Sequence, residues 1–121
     1  MEIIKHGKIE KVDHRHAPEV SKQTGFPSPA THYLEPTINL HQELVLNSDA
    51  TFFIRVKGRQ FLNLHVDHND VLIVDRSLPV KRNTLILAII DGEFELIRLQ
   101  DEPRDSSISI WGTVTYIIHR T

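Results

Sequence analysis

From Thr51 to Lys57 the chain alternates Phe52, Ile54 and Val56 with Phe53, Arg55 and Lys57. This is the two-residue period of a strand with one buried face. Val71 to Val74 is a short apolar run closed by Asp75, and Leu85 to Ile90 is a longer one closed by Asp91-Gly92. An Asp-Gly pair between apolar runs predicts a tight hairpin, because both central turn residues need positive φ. The returning strand is expected over Glu93 to Gln100. Residues 102 to 107, rich in Pro, Asp and Ser, predict a loop. Ile108 to Ile118 then sets Ile108, Ile110, Gly112, Val114, Tyr116 and Ile118 along one face, with Gly112 marking a bulge or a close backbone approach. A long terminal strand of this kind is expected to expose a sheet edge unless another chain covers it.

Ahead of these strands the pattern fades. Residues 1 to 24 mix Lys5, Lys8, Lys11, Arg15 and Lys22 with Glu2, Glu10, Asp13 and Glu19 and carry few apolar side chains. They read as a flexible arm, disordered in part or laid on another surface. G-F-P-S-P-A, from Gly25 to Ala30, holds two prolines that lack amide donors and keep the chain extended. A short helix is expected near Leu40 to Leu46. Strands separated by turns, with one short helix, predict a mostly-β domain over residues 25 to 121 whose sheet curls on itself.

Composition narrows the chemistry. The 121 residues suffice for one core, and a net charge of -2 argues against a dominant nucleic-acid surface. Cysteine is absent, which excludes disulfides and Cys-ligated metal. No run is long enough to span a bilayer, and the first ten residues lack a secretory signal, so the cytoplasm is the expected location. The eight histidines raise a metal hypothesis, with His65 and His68 beside Asp67 and Asp70, or His14 and His16 in the arm. Neither cluster has the spaced set of ligands that zinc needs, and solvated loop histidines are the reading adopted, with no cofactor. No P-loop, dinucleotide-binding glycine pattern or serine elbow is present.

Four blocks carry a resemblance: Gly25 to Ala30, T-F-F-I-R-V-K-G from Thr51, N-D-V-L-I-V-D from Asn69, and A-I-I-D-G-E-F-E-L-I-R-L from Ala88. In that order and spacing the chain resembles the UmuD/LexA family of S24 self-cleaving peptidases. The resemblance implies a curled, partly open β-barrel-like sheet of the LexA/UmuD C-terminal type. It also implies a Ser/Lys dyad in which a lysine kept neutral by burial takes the serine proton. The serine position, two residues after Gly58, is Gln60; the lysine position, three after Phe94, is Ile97. Arg98 is no substitute, since neighbouring strand residues face opposite ways and a guanidinium does not deprotonate. The cleavage point would fall between Thr24 and Gly25, with a β-branched residue where relatives carry a small one.

The expected function is therefore that of a catalytically inactive member, binding other proteins in the SOS response, DNA repair or translesion synthesis. The resemblance implies a homodimer, or a heterodimer with an active relative, and partners such as a Y-family polymerase subunit or the RecA filament. Direct nucleic-acid and membrane contacts are not expected. Two rival readings stand beside it: an active self-cleaving peptidase using residues such as Ser77, Lys81 or Ser28, and a decoy or inhibitor of an active relative. A LexA-type repressor fails on the length ahead of Gly25, which cannot hold a helical DNA-binding domain.

Overall fold

The computed structural model describes residues 1–10, 37–100 and 108–121. Its strands are β1 (Glu2–Lys8), β2 (Thr51–Lys57), β3 (Val71–Asp75), β4 (Thr84–Ile90), β5 (Glu93–Leu99) and β6 (Ile108–Ile118), with one helix, α1 (Leu40–Leu44). They form a single antiparallel six-stranded sheet in the order β1-β2-β3-β6-β4-β5. The mostly-β class, the short helix and the five strands from Thr51 onward agree with the pattern. Asp91 and Gly92 take φ of 51° and 80°, so the β4–β5 hairpin turns where the Asp-Gly pair predicts it.

Strand alternation delivers the core. Ile54 and Val56 from β2, Leu72 and Val74 from β3, Leu85 and Leu87 from β4, Leu96 and Val114 join Phe61 and Val66 inside the curl. The opposite face of β4 and β5 builds a second apolar cluster around Ile86, Ala88 and Leu99. The sheet does not close by strand pairing. Its outermost strands instead approach at one point, where the Met1 ammonium lies 3.4 Å from Glu95 Oε1 on β5.

Three expectations are corrected. Within the stretch read as an arm, Glu2–Lys8 is a strand paired with β2, and Met1 and Ile3 pack against the main core. The alternation hides it, because the face turned toward the core carries His6 and Lys8 as well as Ile3, and a bulge at Ile4 breaks the period. Second, β6 does not keep one face. Register shifts against β4 and against β3 flip it twice, so Ile108 and Ile110 join the second cluster, Val114 enters the core, and Tyr116 and Ile118 turn outward, each 44% exposed. Third, β6 is not an edge strand, since it lies between β3 and β4. The ladder to β4 ends at Thr113, however, and among the described strands residues 114–118 have a partner only on the β3 side. Among the described residues, no helix is long and apolar enough to cross a membrane.

Candidate functional site

β2 ends at Lys57, and Gly58, at φ 93°, turns the chain out of the sheet. Only glycine takes that conformation without strain. The Gly58 amide donates to His68 Nδ1 at 2.8 Å, tying the turn to the far end of its own loop. A 3-10 turn at Leu62–Leu64 and left-handed residues at His65 and Asn69 bring the loop back, and Asn69 N donates to Val56 O at 2.8 Å. Phe61 and Val66 anchor the loop by burial. Arg59 and Gln60 are left exposed at the tip.

The tip opens onto a cleft of about 760 Å³. Gln60, Gly58 and Lys57 line one side, Gly92, Glu93 and Phe94 at the start of β5 another, and Met1 and Glu2 reach in from β1. The structure thus brings Gln60 to the Asp91-Gly92 hairpin. Ile97 lies four residues beyond Glu93, about 13 Å along an extended strand. It does not line the cleft; its side chain packs on the second cluster with Ile86, Ala88 and Leu99. No Ser, Thr or Cys side chain lines the cleft among the described residues, and its Lys57 is an exposed residue 3.5 Å from the Glu2 carboxylate.

Behind the loop sits a network that the sequence does not disclose. Asp70 is 2% exposed and accepts from the Asp67 amide at 2.9 Å through Oδ2, while Oδ1 lies 2.6 Å from His119 Nδ1. Asp67 in turn accepts from the His68 amide and lies 3.4 Å from Arg59 Nε. The hydrogen bond to Asp70, and then the charge of that carboxylate, raise the pKa of His119 above the ordinary histidine value. Desolvation opposes the rise, and the Asp67 charge adds a little to it. Arg59, Asp67, His68 and Asp70 are thus engaged in bracing the loop and the Gly58 turn. Among the described residues, no cluster of three metal-ligating side chains forms, and Asp67, His68 and Asp70 are engaged in these bonds instead.

The family model of the Peptidase S24-like proteins matches residues 18–110. The chain belongs to that family. Among its relatives is protein ImpA of Salmonella typhimurium, 36% identical over 115 residues that cover 82% of this chain and 79% of ImpA. Protein MucA of Escherichia coli is 36% identical over 110 residues, covering 76% of this chain and 75% of MucA. Protein SamA of Salmonella typhimurium is 32% identical over 80% of this chain and 79% of its own length. With the open, mostly-β sheet, these similarities make the chain a UmuD-like S24 protein.

In this S24-like chain the remaining sequence candidates are placed as follows. Ser77 Oγ donates to Asp75 Oδ1 at 2.6 Å and its amide to the same oxygen at 2.8 Å, so the hydroxyl caps the turn that leaves β3. Lys81 is exposed in the β3–β4 connection, without the burial that a neutral lysine base needs. Neither lines the Gln60 cleft. Thr24, Gly25, Ser28, His14 and His16 lie outside the described residues.

Proposed function

We propose that this chain is a UmuD-like protein without self-cleaving peptidase activity, acting by protein binding in the SOS response and translesion synthesis. The observation that carries the reading is the lining of the cleft at the Gly58 turn. Where the family resemblance sets a serine, the turn presents Gln60, and among the described residues no hydroxyl or thiol side chain lines the cleft. An amide does not attack a carbonyl, and the isoleucine at the family's lysine position neither takes a proton nor returns it to a leaving amine. Membership of the S24 family beside ImpA and MucA supports the SOS mutagenesis setting. The cytoplasm is the compartment that this reading implies.

A function by binding needs surfaces. The half-open edge of β6, with Tyr116 and Ile118 exposed beside it, suits a homodimer or a heterodimer with an active UmuD relative. A Y-family polymerase subunit and the RecA filament are the further partners that the family setting implies. Incubation of purified protein with and without activated RecA filament at mildly alkaline pH, followed by intact-mass measurement, tests the central claim. An unchanged mass in both arms is expected. Paired fragments divided between Thr24 and Gly25 would return the chain to the active peptidases.

A further inference from the structure

A second opening lies on the other side of Phe94, away from Gln60. It is a groove of about 300 Å³ between β1 and the aromatic pair Phe94–Trp111, with Ile3, Phe52 and Ile54 in its floor. Its aromatic walls are braced by one another and by Arg76. Trp111 meets Phe52 and Phe94 edge-on, with ring centroids 5.2 and 5.8 Å away, and the Arg76 guanidinium sits 4.3 Å from its ring centre. Arg76 Nε also donates to the Trp111 carbonyl at 2.8 Å, fixing that residue at the bulge. Aromatic surfaces held in this way offer contact area at little ordering cost.

One rim of the groove is backbone. β1 is the outermost strand of the sheet, and among the described residues no strand pairs with its far side. Gly7 lies in this rim, and a Cβ there would come within 3.1 Å of the Phe53 ring on the neighbouring strand. The charged or titratable lining residues are His6 and Lys8, no carboxylate lines the groove, and Lys5 is exposed on the same strand. Lysines and a bulge are the usual devices that keep open edges from pairing indiscriminately. The two lysines repel a basic strand and favour an acidic one, whose carboxylates offset their charge.

We propose that this groove is a docking site for an extended acidic peptide of a partner protein. The peptide adds as a strand to the open edge of β1, seats one large apolar side chain among Phe52, Phe94 and Trp111, and sets one carboxylate beside it against Lys8 on the groove face and another against Lys5 on the opposite face. Main-chain hydrogen bonds supply affinity in this mode, and the pocket selects the inward side chain. The site is separate from the Gln60 cleft, with which it shares Phe94 alone.

Trp111 is the sole tryptophan of the chain, so its emission reports the groove directly. The full chain is titrated with a short capped peptide of Asp residues around one central Phe, which offers carboxylates on both faces of the added strand, and with its counterpart carrying Lys for Asp. The acidic peptide is expected to give a saturable change in Trp111 emission and to slow amide exchange along β1, and the basic peptide to give neither. The double variant Lys5→Glu/Lys8→Glu, at two exposed positions, should bind the acidic peptide about tenfold more weakly. Equal response to both peptides, unchanged affinity in the double variant, protection at an element other than β1, or no saturable change would each overturn the proposal.

Discussion

Asp70 serves three partners from one buried position: its carboxylate takes the Asp67 amide and His119, and its carbonyl accepts from Val56 N at 2.9 Å. It therefore joins the loop that presents Gln60 to the end of β6. The raised pKa of His119 makes this joint pH-dependent. A histidine whose folded pKa exceeds its unfolded one adds stability fully present below the ordinary value of 6.5, and that stability is lost as pH rises through the raised value. Thermal melts of the wild type should thus fall between mildly acidic and mildly alkaline pH by more than those of His119→Gln. Equal slopes for the two proteins would show that the pair contributes nothing. The pair is illegible in the sequence because its members stand 49 positions apart, and the family-like block that holds Asp70 gives no sign of a partner near the end of β6. Gln60 and Ile97, by contrast, stand out through blocks of family-like sequence, yet only the structure separates them into a cleft and an apolar cluster.

At the scale of elements, strands with one wet and one dry face announce themselves. β2 and the Asp91-Gly92 hairpin fall where alternation and turn chemistry set them, since nothing in their surroundings overrides the local preference. β1 escapes the pattern because its core-side positions at an open mouth tolerate His6 and Lys8, so burial leaves no apolar signature there. β6 is legible as a strand but not in the way it faces, since a bulge costs one residue of register and moves every following side chain to the other face. Gly112 marks the place. A Cβ there would lie 2.6 Å from Val74 Cγ1 and 3.5 Å from the Asp75 carbonyl, so β3 and β6 meet there too closely for a side chain. Gly112→Ala is expected to cost about 1–3 kcal/mol in urea denaturation, the usual penalty for forcing atoms into a filled core. A cost within error of zero would mean that Val74 can turn aside, and that the close approach is incidental.

For the whole molecule, the open question of the curl is what holds its two outer strands together. The Met1–Glu95 ion pair spans them, but Glu95 is one-third exposed, and a pair so placed is worth at most about 1 kcal/mol. Burial contributes more. Met1 and Ile3 lie against the main core, and two half-buried apolar side chains contribute about 2–3 kcal/mol, to which the β1–β2 ladder adds. Removal of residues 1–9 should therefore lower the unfolding free energy by about 2–4 kcal/mol. It should also expose the hydrogen-bonding edge of β2 and favour association through it, visible as a sedimentation coefficient that depends more steeply on concentration than that of the full chain. Trypsin offers an independent check: Lys5 and Lys8 sit in a paired strand, so both bonds should survive a limited digest of the full chain. Cleavage at Lys5 or Lys8 as fast as at an unstructured control peptide, together with an unchanged urea midpoint on deletion, would show that β1 is dispensable. The sheet would then be held by β2 to β6 alone.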